Sequence, residues 1–127
     1  MKQINVLMIE DSFYSADLNV REIKKAGFNV QHQIVASKKQ MQKALREKQW
    51  DIILSDNQMP GFDALHALEV RRQEGCLAPF VIVSEDMPDK DIKTAIDNGC
   101  SGYISKEYLS RLGQQIKEVL EVQTIIS

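Results

Sequence analysis

The chain has 127 residues, of which 43% are hydrophobic and 27% charged, proportions typical of one soluble globular domain. Its 16 Lys and Arg nearly balance its 18 Asp and Glu, and a net charge of -2 does not favour binding to nucleic acid or to an anionic membrane. No apolar run approaches the ~20 residues that span a bilayer, and no signal-peptide cleavage site follows the N-terminus. We therefore expect a cytoplasmic chain without direct nucleic-acid or membrane binding.

The cysteines and histidines form no pattern typical of a disulfide framework or a zinc site. Cys76 and Cys100 lie far apart in the sequence, with no CxxC motif and no histidine at ligand spacing. His32 lies in a predicted strand and His66 in a predicted helix, and packing or surface exposure is the simplest role for both. We expect both cysteines to be reduced, structural thiols.

Short apolar runs alternate with longer amphipathic ones, a pattern typical of about five βα units in a parallel sheet. The apolar run Ile4–Ile9, interrupted only by Asn5, predicts a central strand buried on both faces. A helix from about Phe13 to Ala26 should follow, with Gly27 as its C-cap. Its inner face is predicted to contain Phe13, Ala16, Val20 and Ile23.

The remaining predicted elements repeat this alternation to the end of the chain. In chain order they are an edge strand Val30–Val35, a helix capped by Ser37 and Gln40 that ends near Lys48, a strand Ile52–Leu54, a helix from about Phe62 to Gln73, a strand Phe80–Val83, a helix with Pro88 in its first turn that stops at Asn98–Gly99, a strand Gly102–Ile104 and a helix from about Glu107 to Glu121. The apolar stripe of the fourth helix is predicted to contain Ile92, Ala95 and Ile96. These elements predict a single doubly wound α/β domain over residues 1–127, with no output domain in the chain.

Polar residues are concentrated where the predicted strands end. Glu10 and Asp11 follow the first strand, Asp56 the third, Ser84, Glu85 and Asp86 the fourth, and Lys106 the fifth. Ligands of open parallel sheets bind at this edge, although any one of these residues is equally compatible with a solvated loop. Three clustered carboxylates favour a bound cation, and hard oxygen ligands favour Mg²⁺. A carboxylate, a metal ion, a lysine and a hydroxyl together indicate phosphoryl transfer, with Asp56 as the nucleophile.

Four segments carry a family resemblance that extends over essentially the whole chain. They are Val6–Ser12 with the acidic pair, Ile53–Gly61 with Asp56, Val81–Ser84 with the hydroxyl, and Gly102–Lys106 with the lysine. In these motifs the chain resembles the receiver domains of bacterial two-component response regulators. The resemblance implies a flavodoxin-like (βα)5 fold with five parallel strands in the order 2-1-3-4-5.

The same resemblance implies a role for each matching residue. Asp56 would accept a phosphoryl group from a histidine kinase or a histidine phosphotransfer protein, in a Mg²⁺-dependent reaction that the domain catalyses on itself rather than as an enzyme. Asp11, Asp56 and the backbone carbonyl of Gln58 would bind Mg²⁺, or alternatively Mn²⁺, and Glu10 would bind it through water. The downstream partner or fused output domain is not indicated, and a homodimer is compatible with the resemblance.

The resemblance also implies a switch at the ends of the fourth and fifth strands. Ser84 and Lys106 would stabilise the phosphoryl group. Ser84 and Tyr103 would then couple phosphorylation to the surface formed by the fourth helix, the fifth strand and the fifth helix. Without the resemblance, Tyr103 is equally compatible with a packed aromatic residue.

Three positions depart from the usual pattern of the family. Glu107 replaces the proline that commonly follows the lysine, and the cost of a non-proline cis bond predicts a trans Lys106–Glu107 bond with an altered loop path. Glu85 replaces a small residue, and its charge is expected to hinder small phosphodonors or a phosphatase. Ser84 replaces the commoner threonine and retains the hydroxyl.

Two other classes of protein remain to be weighed against a phosphorylatable receiver. An aspartyl phosphohydrolase of the haloacid dehalogenase class would need a second aspartate two residues after Asp56, where this chain has Gln58. A receiver-like interaction module that takes no phosphoryl group usually lacks one of the acidic or lysine positions, all of which are filled here. Both alternatives are therefore weaker than the receiver.

Overall fold

A five-stranded parallel sheet flanked by helices forms the fold, in a computed structural model that describes residues 2–126, with side chains described as far as Val122. The elements are β1 (Lys2–Ile9), α1 (Phe13–Lys25), β2 (Phe28–Val35), α2 (Lys38–Glu47), β3 (Ile52–Ser55), α3 (Ala64–Gln73), β4 (Phe80–Ser84), α4 (Asp89–Asp97), β5 (Gly102–Ser105), a 3-10 segment (Lys106–Arg111) and α5 (Leu112–Ile126). The strand order β2-β1-β3-β4-β5 confirms the predicted fold class. Within the described residues, no helix is both long and apolar enough to cross a bilayer.

The two faces of the sheet form two hydrophobic cores because neighbouring residues of a strand point to opposite faces. Leu7 of β1 and Ile53 of β3 belong to the core that also contains buried residues of α2, α3 and α4. Val6 and Ile52 belong to the second core, with buried residues of α1 and α5. The central strands are therefore buried on both sides, as their continuous apolar sequences predicted.

Two strands begin earlier than the sequence predicted. β1 begins at Lys2 rather than Ile4, and β2 at Phe28 rather than Val30, because Lys2 is paired with Phe28 in the parallel ladder. Backbone pairing needs no apolar side chain, so hydropathy alone predicted the first residue of each strand two positions too late.

Two helix starts also differ from the predictions. α3 begins at Ala64 rather than near Phe62, because Asp63 caps it by accepting a 3.0 Å hydrogen bond from the backbone N–H of His66. Pro88 is the N-cap of α4 and lies just outside the first turn in which it was predicted. The cap of α2 is as expected, since the Ser37 hydroxyl accepts from the N–H of Gln40.

Two apolar residues predicted to face the core are exposed instead. Phe13 is 80% exposed because it is the first residue of α1, whereas Ala16, later on the same helix, is buried. Ile96 is 53% exposed because α4 packs on the sheet through its neighbour Ala95 and, in part, Ile92. Helical spacing therefore predicted the buried face of α1 and of α4, but it included one exposed residue in each.

The last helix begins five residues later than predicted. Residues Lys106–Arg111 form a 3-10 segment that is interrupted at Tyr108, whose φ of -119° and ψ of 36° are not helical. α5 then begins at Leu112 and packs against α1. None of the described peptide bonds is cis, so the Lys106–Glu107 bond is trans, as expected.

Candidate functional site

The carboxyl edge of the sheet gathers the residues that the sequence indicated. Backbone hydrogen bonds hold the two acidic loops in place: the N–H of Asp56 donates to the carbonyl of Ile9 at 2.9 Å, and the N–H of Glu10 donates to the carbonyl of Val35 at 3.0 Å. The loop after β3 is thereby tied to the end of β1. Asp56 therefore lies next to the acidic pair.

Three carboxylates form one cluster at this edge. Glu10, Asp11 and Asp56 each place a carboxylate oxygen within 4.8 Å of the other two. Glu10 and Asp56 are buried, at 3% and 6% exposure, while Asp11 is exposed. Burial and, next, the charge of Asp56 raise the pKa of Glu10 to about 7, against a partial opposing effect of Lys106.

Backbone amides hold two of these carboxylates in fixed orientations. Oε1 of Glu10 accepts 3.1 Å hydrogen bonds from the N–H groups of Asp11 and Ser12. Oδ1 of Asp56 accepts a 3.0 Å hydrogen bond from the N–H of Gln58. The second oxygen of each side chain is oriented toward Lys106, so the cluster has a defined geometry.

Lys106 supplies a positive charge to this cluster. Its Nζ lies 3.3 Å from Oδ2 of Asp56 and 3.7 Å from Oε2 of Glu10. The lysine side chain is 18% exposed, so these ion pairs are largely shielded from water. If all four groups are ionised, one cation faces three anions, and the cluster retains an excess of negative charge.

Lys106 has a third neighbour that the sequence analysis missed. Its Nζ donates a 3.4 Å hydrogen bond to the hydroxyl of Ser15 in the first turn of α1. A serine in the first turn of an amphipathic helix carries no signal that distinguishes it from a surface residue. Only the tertiary packing brings it to a lysine 91 positions later in the chain.

Ser84 and Tyr103 lie close together, as expected, although Tyr103 is the second residue of β5 and not its end, whereas Ser84 ends β4. Ser84 is fully buried, and among the described residues its hydroxyl has no hydrogen-bond partner. The Tyr103 hydroxyl donates a 3.2 Å hydrogen bond to the backbone carbonyl of Ser84. A buried hydroxyl without a partner is unfavourable by roughly 1–3 kcal/mol, so Ser84 is ready to bond an incoming acceptor.

Other candidate residues lie outside the cluster. Glu85 and Asp86 follow β4 as exposed side chains, and neither belongs to the group of carboxylates that could share a metal ion among the described residues. His32 is exposed on β2. His66 is paired with Asp63 at the start of α3, through a 2.7 Å contact of Nδ1. Both histidines are therefore exposed, which is one of the two simple roles expected of them.

The donor atoms of the cluster fit a hard divalent cation. Carboxylate oxygens are the ligands that Mg²⁺ prefers, and the described cluster contains no thiol or imidazole that would favour a softer metal. A cation at this position would also stabilise the ionised form of the buried Glu10 carboxylate.

A doubly wound sheet of order 2-1-3-4-5 with a polar cluster at its carboxyl edge defines a flavodoxin-like α/β domain whose site lies at the switch point of the sheet. A family model described as the response regulator receiver domain matches residues 6–117. The chain belongs to this family and is a receiver domain of two-component signalling.

Two curated relatives are longer proteins that match this chain over part of their length. The nitrate/nitrite response regulator protein homolog of Haemophilus influenzae is 35% identical over 78 residues, which are 61% of this chain and 38% of the relative. Hybrid signal transduction histidine kinase G of Dictyostelium discoideum is 24% identical over 108 residues, which are 83% of this chain and 3% of the kinase. The chain thus spans less than half the length of these two relatives.

Solved structures share the fold. The signal receiver domain of the putative response regulator NarL from Mycobacterium tuberculosis has a TM-score of 0.80 and 16% identity, and the match covers 95% of this chain and 98% of that one. The receiver domain of sensor histidine kinase PA1611 from Pseudomonas aeruginosa has a TM-score of 0.75 and 19% identity, and the match covers 94% of this chain and 98% of that one. The latter structure contains a magnesium ion coordinated in its active site cleft.

Proposed function

We propose that this receiver accepts a phosphoryl group on Asp56 from the phosphohistidine of a histidine kinase or a histidine phosphotransfer protein. The observation that carries the proposal is the buried Asp56 carboxylate, whose Oδ2 lies 3.3 Å from Nζ of Lys106 beside two further carboxylates. In the reaction a carboxylate oxygen of Asp56 forms the new P–O bond while the P–N bond to histidine breaks. The leaving imidazole nitrogen takes up a proton.

The acidic cluster would hold Mg²⁺, or alternatively Mn²⁺, through Asp11, Asp56 and the backbone carbonyl of Gln58, with Glu10 acting through water. When bound, the ion supplies positive charge that neutralises the phosphoryl oxygens. The oxygen donor set and the raised pKa of Glu10 support this assignment. The magnesium-containing cleft of the PA1611 receiver is a fold-level parallel.

Lys106 and Ser84 would stabilise the transferred group. The Lys106 ammonium already contacts Asp56 and can move its hydrogen bond onto a phosphoryl oxygen. The Ser84 hydroxyl is buried without a partner among the described residues, so it has a proton free to donate to another phosphoryl oxygen. In this proposal the domain promotes its own phosphorylation and does not act as an enzyme on other molecules.

Ser84 would also begin the output response. Its movement toward the phosphoryl group would displace the carbonyl that accepts the Tyr103 hydrogen bond, and Tyr103 would reorient. The surface of α4, β5 and α5 would change as a population shift between two states.

Intact-mass measurement after incubation with acetyl phosphate and Mg²⁺ tests this function. We expect the parent protein to gain one phosphoryl group, Asp56→Asn to gain none, and excess chelator or Asp11→Asn to slow the reaction strongly. Asp97→Asn is a matched control, because Asp97 is an exposed residue of α4 paired with Lys93. Labelling of Asp56→Asn at the parent rate would refute the assignment, and undiminished labelling in chelator would refute the metal requirement.

A further inference from the structure

Three oxygen atoms surround the ammonium group of Lys106, which has three hydrogens to donate. Two of these oxygens belong to carboxylates, Oδ2 of Asp56 at 3.3 Å and Oε2 of Glu10 at 3.7 Å. The third is the Ser15 hydroxyl at 3.4 Å. Ser15 is thus the neutral member of the set, and it contacts Lys106 from another element of the fold.

Ser15 is held in place by the local structure of α1. Its backbone N–H donates a 3.2 Å hydrogen bond to the hydroxyl of Ser12, the N-cap of the helix. The N–H of Ser12 in turn donates to Oε1 of Glu10 at 3.1 Å. The start of α1 is therefore anchored to the acidic cluster, and the Ser15 side chain is only partly exposed.

We propose that Ser15 is a positioning residue for phosphorylation of Asp56: its hydroxyl accepts one hydrogen bond from the Lys106 ammonium and holds that group against the site. This inference rests on the proposed function, because it concerns the reaction that Lys106 supports.

The flexibility of the lysine side chain explains why such a contact would matter for the reaction. A lysine has a flexible four-carbon stem and a compact charge, so its position depends on what the ammonium contacts. When a phosphoryl group joins Asp56, the ammonium must contact new oxygens without leaving the cleft. The Ser15 hydroxyl accepts from one N–H of the ammonium and leaves the other two for Asp56 and the incoming phosphoryl oxygens, so Lys106 stays attached to α1 during the reaction.

Ser15→Ala removes this acceptor and leaves the backbone capping bond of residue 15 intact. We expect the saturating rate of phosphorylation by acetyl phosphate in Mg²⁺ to fall about three- to tenfold, the effect of one lost hydrogen bond of ordinary strength. Ser15→Thr retains a hydroxyl and should restore most of the rate. Ser110→Ala is the matched control, because Ser110 is an exposed serine of the 3-10 segment after Lys106.

Two further measurements separate positioning from a general structural effect. In a Lys106→Ala background, Ser15→Ala should cause no additional loss of rate, because the ammonium that it positions is absent. In the unphosphorylated protein, the ¹³Cε NMR signal of Lys106 should shift in Ser15→Ala and remain unchanged in Ser110→Ala.

The outcomes distinguish this inference from the proposed function. If the parent protein takes up no phosphoryl group at all, the proposed function fails. If the parent is labelled and Ser15→Ala reacts at the parent rate, the positioning role is wrong, whatever the Lys106 signal does. An equal loss of rate from Ser15→Ala in the parent and Lys106→Ala backgrounds would likewise overturn it.

Discussion

The Tyr103 hydroxyl donates a 3.2 Å hydrogen bond to the backbone carbonyl of Ser84, and the Ser84 side-chain hydroxyl is buried without a partner among the described residues. The backbone carbonyl of Ser84 is therefore bound to the Tyr103 hydroxyl, while the Ser84 side chain is available for another partner. If Ser84 moves toward a phosphoryl group on Asp56, this hydrogen bond is the contact through which the proposed switch would reach Tyr103.

Ser84→Ala should separate phosphorylation from the response of Tyr103. We expect the variant to accept a phosphoryl group on Asp56, since Lys106 and the acidic cluster remain, but at a reduced rate. The response of Tyr103 should weaken because alanine has no hydroxyl to donate to a phosphoryl oxygen, so residue 84 is not drawn toward Asp56. NMR spectra of ring-labelled tyrosine and of backbone amides, recorded with and without beryllofluoride, measure this response. Equal shifts on α4, β5 and α5 in the parent and variant proteins would contradict the coupling.

Glu10 should make the stability of the metal-free protein depend on pH. Burial, and then the charge of Asp56, raise the pKa of Glu10 from 4.5 to about 7 in the folded state. A carboxyl group that holds its proton more tightly when folded contributes stability below pH 4.5, and that contribution is lost as the pH rises through 7. We expect the free energy of unfolding to fall by up to about 3 kcal/mol as the pH rises from 4.5 to about 7.

Urea unfolding in chelator, compared between the parent protein and Glu10→Gln, isolates this effect from other titrating groups. The variant cannot ionise at residue 10, so its stability relative to the parent should rise between pH 5 and pH 8. Saturating Mg²⁺ should reduce the difference, because a cation stabilises the ionised cluster. A stability difference that is independent of pH would show that Glu10 has an ordinary pKa.

Gly113→Ala should destabilise the fold, although alanine is the better helix former by about 1 kcal/mol. An added Cβ at residue 113 would lie 2.6 Å from Cβ of Ala26 and 3.1 Å from the carbonyl oxygen of Glu22, so α1 and α5 would have to separate. We expect a net loss of about 1–2 kcal/mol in the free energy of unfolding, measured by urea denaturation.

Gly102→Ala is the control for this prediction. A Cβ there would meet the side-chain Nε2 of Gln115 at 2.5 Å, and a glutamine side chain can move aside at low cost. We expect a smaller loss of stability than for Gly113→Ala. A larger loss of stability for Gly102→Ala than for Gly113→Ala would show that α1 and α5 are not tightly packed at residue 113.

Glu85→Gln should accelerate phosphorylation by acetyl phosphate. Glu85 is an exposed carboxylate directly after Ser84, and it repels a dianionic phosphodonor that approaches the cleft. We expect an increase of about two- to fivefold at low ionic strength that shrinks as salt screens the charge. Glu47→Gln, an exposed site at the end of α2, is the matched control. Equal rates for the two variants at low salt would rule out a role for Glu85.

The alternation of five βα units, and the edge of the sheet at which the polar residues meet, can be predicted from the amino-acid sequence alone. Continuous apolar runs such as Phe80–Val83 identify strands buried on both faces, and the carboxyl ends of parallel strands lie at one edge. The sequence therefore predicts that Asp56 and Lys106 lie at the same edge of the sheet. Their contact at 3.3 Å agrees with that placement.

The remaining neighbours of the site, and the exposure of some apolar residues, depend on how the elements pack in three dimensions. Ser15 meets Lys106 across 91 positions because α1 packs beside the segment that follows β5. Phe13 has the helical spacing of a core residue and is nevertheless 80% exposed. Periodicity reports the face of an isolated helix, whereas burial and side-chain partners depend on which elements cover that face, and those elements come from distant parts of the chain.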